Sequence, residues 1–163
     1  MAVNRGKDFE NQIKEAFERM PHTSVTRLID PQSGYAGVRN ICDFIMYHYP
    51  IQYFIECKSC YGNTLPFSNI TKNQWDGLLE KSSIKGVVAG YMIWFIDHDL
   101  TCFITAQQMQ MLKDKGCKSV NVHTFPLELD GDWIYIRGTK KRVLFDYDMT
   151  NFLEECEDKL WDK

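Results

Sequence analysis

Apolar side chains recur every three or four residues near the start of the chain, at Phe9, Ile13, Ala16, Phe17 and Met20. Because this spacing places them on one face of a helix, it predicts an amphipathic helix over residues 4–20. Asn4 is a suitable N-cap, since its side-chain oxygen can accept a hydrogen bond from the first turn. Val25 to Ile29 is predicted to follow as a short strand.

Two stretches rich in β-branched and aromatic residues, 41–48 and 51–58, predict a pair of adjacent strands. Tyr49-Pro50 separates them, and proline belongs in turns rather than inside a strand ladder. With the turn at these two residues, paired positions sum to 99, which places Asp43 opposite Glu56. A register shifted by one residue would destroy this arrangement.

The rest of the sequence predicts, in order, a loop at 62–70, a helix from Thr71 to about Ser82, strands at 86–96 and 100–105, a helix at 106–115 and an acidic C-terminal helix. The complete order of elements is therefore α-β-β-β-α-β-β-α. This order predicts an α/β fold in which helices flank a mixed central sheet.

The chain has 163 residues, the size of one domain with a substantial core. Its net charge is −3, so any contact with nucleic acid must come from a local basic patch. The six cysteines are scattered, and we expect them to be reduced thiols in a cytoplasmic protein. Cys57-x-x-Cys60 has no second ligand pair after it, which disfavours a metal or redox role. Neither a membrane span nor a signal peptide is predicted.

The predicted hairpin brings together side chains suited to cleavage of a phosphodiester. Asp43 and Glu56 lie opposite each other, with Cβ atoms about 4.5–5.5 Å apart. Lys58 projects on the same side as Glu56 because side chains alternate along a strand. Two carboxylates at about 5 Å repel by roughly 3 kcal/mol at an effective dielectric of about 20, and a divalent cation removes this cost. The lysine would place positive charge near the attacked phosphate.

Glu10 lies at the border of the apolar stripe of the first predicted helix. From there it can reach the edge of the sheet and join the two carboxylates. It can equally pair with Lys14, which is one helical turn further along the chain. The spacing alone favours neither arrangement.

Asp43, Glu56-x-Lys58 on the next strand and a preceding Gly6-x-x-x-Glu10 helix resemble the PD-(D/E)xK nuclease superfamily. Within it, the chain is most similar to the RecU-type Holliday junction resolvases of Gram-positive bacteria and their phages. The further positions that carry this resemblance, over about residues 4–122, are Asn4-Arg5-Gly6, Leu65-Pro66-Phe67-Ser68-Asn69, Gln74 and Lys118-Ser119-Val120. It implies a restriction-endonuclease-like fold and a single nuclease domain over 1–163.

The resemblance also implies a role for each matched residue. Asp43 and Glu56 would ligate Mg²⁺, or Mn²⁺ in its place, with Glu10 as a further ligand or a neighbour of the ligands. Lys58 would position or activate the attacking water, and Gln74 would support the metal site from the following helix. Carboxylate oxygens suit hard cations of this kind.

The segment between the first strand and Asp43 departs from the RecU-type pattern. Those enzymes insert a long stalk there, whereas only the residues from Leu28 to Cys42 are available in this chain. This length is closer to that of the archaeal junction resolvases, in which a serine of the same loop assists catalysis. Ser33 or Ser24 can occupy that place.

The leading hypothesis is a metal-dependent, structure-selective endodeoxyribonuclease that resolves Holliday junctions and other branched DNA in recombination and repair, by attack of a metal-activated water on the phosphodiester. Because a four-way junction has two-fold symmetry, we expect a homodimer, with 86–96 or 133–161 as its interface. The expected location is the cytoplasm of a bacterium or of a phage-infected cell. The expected phosphate contacts, without base specificity, are Arg5, Lys7, Arg39 and Lys72.

Two alternatives remain open at this point. The first keeps the fold and changes the substrate, giving a restriction- or repair-type endonuclease that cuts duplex DNA. The second is a recombination factor that binds branched DNA without cutting it. The intact set of Asp43, Glu56 and Lys58 speaks against a protein with an inactive site.

Overall fold

The computed structural model describes residues 2–29 and 39–160, so the predicted loop at 30–37, with the candidate Ser33, lies outside the described residues. The helices are α1 (Arg5–Glu18), α2 (Lys72–Ser82), α3 (Ala106–Asp114), α4 (Phe125–Glu128) and α5 (Thr150–Leu160). The strands are β1 (Thr23–Arg27), β2 (Phe44–His48), β3 (Ile51–Cys60), β4 (Thr64–Pro66), β5 (Val87–Phe95), β6 (Leu100–Thr105), β7 (Ser119–Asn121), β8 (Ile134–Tyr135), β9 (Arg137–Lys141) and β10 (Leu144–Asp148).

Six strands form the central sheet, in the order β1-β2-β3-β5-β6-β8. β3 and β5 run parallel, whereas the other neighbouring strands are antiparallel, so the sheet is mixed. α1 and α5 bury their apolar faces on one side of the sheet, and α2 and α3 bury theirs on the other. The predicted architecture, a mixed sheet flanked by helices, is confirmed.

The two helices that border the candidate site begin at the predicted caps. The side chain of Asn4 accepts a hydrogen bond from the backbone N–H of Lys7, and the side chain of Thr71 accepts one from the backbone N–H of Gln74. These contacts satisfy amides of the first turn that have no partner within the helix. Within the residues that the structure describes, no helix is long and apolar enough to cross a membrane.

The hairpin of β2 and β3 turns at the Tyr49–Pro50 peptide, which is cis. Phe44 lies opposite Ile55 and His48 lies opposite Ile51, so the predicted register is confirmed. Phe44 and Ile55 are both fully buried in the core beneath α1. Because a shift of one residue would turn such side chains to the other face, burial fixes the register.

β5 lies in the interior of the sheet, between β3 and β6. Its residues from Val88 to Phe95 are all buried. The hypothesis that 86–96 supplies a dimer interface is therefore wrong, because this strand is part of the core. Its uninterrupted apolar sequence reflects burial on both faces of the sheet.

Several elements were not predicted. β4 lies within the predicted loop at 62–70, and its pairing with β7 is only three residues long, too short to show a period in the sequence. β9 and β10 form a separate two-stranded sheet, and every residue of β9 is exposed, so its sequence carries no apolar alternation. β1 begins at Thr23 rather than Val25, because its first pair, with His48, is polar.

Candidate active site

Asp43 immediately precedes β2 and is fixed by two contacts with β3. Its backbone N–H donates to the carbonyl of Ile55 at 3.1 Å. Its Oδ2 accepts a hydrogen bond from the backbone N–H of Cys57 at 2.8 Å. These contacts on either side of Glu56 extend the hairpin register by one residue and place Asp43 beside Glu56, as the spacing predicted.

Glu56 and Lys58 project from the same side of β3, and their side chains meet. The Lys58 ammonium lies 3.3 Å from Oε1 of Glu56. Glu56 is only 4% exposed, which is unusual for a carboxylate and requires compensating partners. Lys58 is one such partner. Gln74 of α2 is the other, since its Nε2 donates a hydrogen bond to the same Oε1 at 2.8 Å.

α2 also holds the chain that leads into Asp43. The side-chain amide of Asn73 donates to the carbonyls of Arg39 and Asn40, at 3.0 and 3.3 Å. Gly77 faces Ile41 so closely that an added Cβ would lie 2.3 Å from its Cγ2. One helix therefore positions both Gln74 and the approach to Asp43.

Glu10 lies at the site and does not pair with Lys14, which instead pairs with Glu18. Its Oε1 is 3.0 Å from the guanidinium of Arg27, at the end of β1. Its carboxyl group also interacts with that of Asp43. Of the two arrangements left open by the sequence, Glu10 therefore adopts the one that reaches the sheet.

The three carboxyl groups share a crowded and poorly hydrated site. Burial, followed by the charge of Asp43, raises the pKa of Glu56 from 4.5 to about 8, although Lys58 opposes this. Burial raises the pKa of Asp43, with the Cys57 amide acting in the opposite direction. Burial and the neighbouring Asp43 raise the pKa of Glu10, opposed by Arg27. In the absence of a cation, burial thus favours the protonated forms of these carboxyl groups.

This donor set fits a hard divalent cation. Asp43 and Glu56 offer adjacent carboxylate oxygens of the kind that Mg²⁺ and Mn²⁺ prefer. A bound cation would favour the charged forms of both groups, which burial disfavours. Among the described residues, no group of three or more His, Cys, Asp or Glu side chains is arranged to hold a metal ion.

The predicted phosphate contacts lie on two flanks of the site. Arg5 and Lys7 are in the first turn of α1, where Gly6 approaches the Ser59 side chain next to Lys58. On the other flank, Arg39 and Lys72 are exposed. The side chain of Asn73, the residue after Lys72, donates a hydrogen bond to the carbonyl of Arg39. Arg5 and Lys72 pair with acids on their own helices, Asp8 and Asp76.

Two further candidates lie away from the chemistry. Ser24 is exposed on β1 opposite Tyr47. It lies three residues from Arg27, about 10 Å along the strand, so it does not occupy the place of a catalytic serine. Cys57 and Cys60 form no disulfide, and burial raises the pKa of both thiols, so they remain protonated.

Arg27 was not singled out from the sequence. It also donates to the Asn11 side chain at 3.2 Å, which ties β1 to α1 beside Glu10. The pairing of β1 with β2 could have indicated its position, because Arg27 lies opposite Phe44 and hence next to Asp43. It was hidden because the predicted strand began two residues late and extended to Ile29.

Searches found no matching family model and no matching curated protein. The structure is similar to that of Hjc from Archaeoglobus fulgidus, a Holliday junction resolvase from an archaeal hyperthermophile. The TM-score is 0.52 at 15% sequence identity, over 75% of this chain and 93% of the Hjc chain. At this level of identity the likeness establishes the fold. The predicted fold class, a nuclease-like α/β fold with a mixed central sheet, is confirmed.

Proposed function

We propose that the protein is a metal-dependent, structure-selective endodeoxyribonuclease that resolves Holliday junctions and other branched DNA. The observation that carries this proposal is the meeting of Asp43, Glu56 and Lys58 at the β2–β3 hairpin, with Gln74 bonded to Glu56. The fold shared with Hjc supports the choice of substrate. The neighbouring cations at Arg5, Lys7, Arg39 and Lys72 would bind backbone phosphates.

Asp43 and Glu56 would hold the cation, Mg²⁺ or Mn²⁺, which would supply Lewis-acid polarisation of the phosphate and a lowered pKa for bound water. Lys58, 3.3 Å from Glu56, would orient the attacking water and stabilise negative charge that develops on the phosphate. Gln74 restricts the rotation of the Glu56 carboxylate through its hydrogen bond. Arg27 keeps Glu10 at the edge of the site, where it can accept a hydrogen bond from water.

A four-way junction must be cut on two strands, and each chain offers one such site. We therefore propose a homodimer with two-fold symmetry, acting on DNA in the cytoplasm of a bacterium or a phage-infected cell. The remaining interface candidate from the sequence is 133–161, of which the structure describes residues 133–160. Sedimentation of the purified protein tests the dimer independently of its activity.

The decisive experiment compares cleavage of a mobile four-way junction with cleavage of a linear duplex made from the same strands. We expect junction-selective cleavage with Mg²⁺ that chelator abolishes and that the Asp43→Asn variant lacks. Glu154→Gln, which changes an exposed carboxylate on α5, is the matched control and should cut normally. Cleavage by Asp43→Asn at the wild-type rate would refute the proposed site.

The two alternatives give different results in the same experiment. Equal cutting of duplex and junction at a fixed sequence would identify a duplex endonuclease of the same fold. Junction binding without any product, at all Mg²⁺ and Mn²⁺ concentrations, would identify a binding factor.

A further inference from the structure

A groove separates α1 from the hairpin formed by β9 and β10, and we call it the α1–hairpin groove. It consists of two adjoining clefts of about 490 and 320 Å³, which share Arg19 and Asp146 in their walls. The larger cleft lies at the turn of the hairpin and is also lined by one further acid, Glu15, and three further cations, Arg5, Lys141 and Arg142. Arg5 and Glu10 are five residues apart, about 140° around the helix, so the groove and the carboxylates flank α1 on different sides.

The hairpin is anchored firmly, even though β9 is fully exposed. The Tyr147 hydroxyl and the Thr101 hydroxyl of β6 are hydrogen-bonded at 2.8 Å. Phe145 stacks on Tyr147, with ring centroids 5.6 Å apart, and contacts Trp94 of the core. Gly138 is opposite Tyr147, where a Cβ would lie 2.9 Å from the ring, so only glycine allows this close packing. The hairpin is therefore a fixed platform for the side chains it carries.

The exposed strand and its turn carry a concentrated positive charge. Residues 137–142 contain four cations and no acid. The acids of β10 are already engaged, because Asp146 pairs with Arg19 at 2.8 Å and Asp148 accepts a hydrogen bond from the first turn of α5. Across the described residues, no carboxylate lies within ion-pair distance of Lys141 or Arg142. These two cations are free to bind an external anion.

The hairpin turn lies at the same end of the sheet as the candidate active site. Lys140 pairs at 2.8 Å with Asp99, in the turn between β5 and β6. β5 runs parallel to β3 with Phe95 opposite Cys60, so this turn is at the end of the sheet where β3 carries Lys58. β3 and β6 are two strand spacings apart, about 10 Å. A DNA segment held near Lys58 can therefore continue across to the hairpin.

We propose that the α1–hairpin groove binds the sugar–phosphate backbone of a duplex arm of the DNA substrate, through Lys141 and Arg142 with Arg5 on the facing wall. This inference rests on the proposed nuclease function and extends it with a second contact surface. Charge complementarity supports DNA as the occupant of this groove. The two free cations would bind the phosphates of the same polyanion that the neighbouring site is proposed to cut. Arg142 adopts a positive φ of 57° in this turn.

The test measures DNA binding in chelator, so that it does not depend on cleavage. The variant combines Lys141→Gln with Arg142→Asn, since asparagine tolerates a positive φ. Fluorescence anisotropy with labelled junction and duplex is recorded over a series of salt concentrations. Loss of two phosphate contacts should weaken binding about threefold to tenfold on both DNAs and reduce the slope of log K against log salt by about 1.8. The charge-conserving swap Lys141→Arg with Arg142→Lys should retain binding.

The matched control removes two exposed lysines elsewhere, Lys115 after α3 and Lys159 in α5, with the same change in net charge. It should leave the salt slope unchanged. A hairpin variant that melts like the wild type and binds DNA with an unchanged slope would overturn the groove proposal. If the wild type cleaves junctions but the variant shows no defect, only this inference fails. If the wild type neither binds nor cleaves DNA, both proposals fail.

Discussion

Gln74 joins the start of α2 to the most buried carboxylate of the candidate site. Its Oε1 accepts a hydrogen bond from the backbone N–H of Thr71 at 3.2 Å, and its Nε2 donates to Oε1 of Glu56 at 2.8 Å. The amide is thus fixed at one end by the helix cap and at the other by the site. A carboxylate or a hydrocarbon at this position cannot do both.

Gln74→Ala should therefore affect both activity and stability. We expect the cleavage rate constant to fall about tenfold to a hundredfold, since a residue that orients a candidate ligand is lost. The free energy of unfolding should fall by about 0.5–1.5 kcal/mol. Thr71→Ala is the control, because it weakens the same cap but leaves Gln74 able to bond Glu56. Equal losses of cleavage in the two variants would show that Gln74 acts only through the helix.

Arg27 and Glu10 should behave as a coupled pair. Arg27→Gln removes the cation that holds Glu10, and Glu10→Gln removes the charge that needs it. We expect each single variant to lower cleavage and the double variant to lose much less than the product of the two effects. The coupling energy should be about 0.5–3 kcal/mol, measured from cleavage rates in a double-mutant cycle. Fully multiplicative effects would mean that Arg27 does not act through Glu10.

The stability of the metal-free protein should depend on pH through Glu56. Its pKa is about 8 in the folded protein and 4.5 without the fold, so the folded state binds more protons between these values. The contribution of this group to the free energy of unfolding should therefore be complete below about pH 4.5 and fall as the pH rises towards 8, by on the order of 1–3 kcal/mol. Urea unfolding in chelator at several pH values measures this.

Glu56→Gln is the control for this pH dependence, because the amide keeps the shape and cannot titrate. Its unfolding free energy should vary less with pH over the same window. Mg²⁺ should stabilise the wild type more at pH 8 than at pH 5.5, since the cation competes with protons for the carboxylates. A stability that rises between pH 5.5 and 8 in the wild type, and equally in the variant, would contradict the raised pKa.

Gly77→Ala should be destabilising, although alanine is normally preferred to glycine inside a helix by about 1 kcal/mol. The added Cβ would lie 2.3 Å from Cγ2 of Ile41, and an overpacked contact of this kind costs about 1–3 kcal/mol. The displaced Ile41 would also move the segment that leads into Asp43, so cleavage should fall. Thermal melts and cleavage rates measure the two effects. The double variant Gly77→Ala/Ile41→Ala should recover part of both, and its failure to do so would show that the contact is not the cause.

Local sequence signals were sufficient for the elements with a clear period or cap. The helix from Asn4 and the helix from Thr71 were predicted at their N-termini because capping side chains act within one turn. The hairpin register followed from the position of the turn at Tyr49-Pro50, and the strand pairing agrees with it. From that register alone, Asp43, Glu56 and Lys58 could be placed together.

Only the tertiary structure decided the contacts between distant segments. The choice of Glu10 between Lys14 and the sheet depended on Arg27, which belongs to another element. The sequence of β9 has no apolar alternation, because this exposed strand is stabilised by the aromatic residues of its partner β10. Periodicity and capping involve residues that are close together in the sequence, so the sequence alone determines them. The partner of a charged side chain or of an exposed strand depends instead on which surfaces come into contact when the whole chain packs.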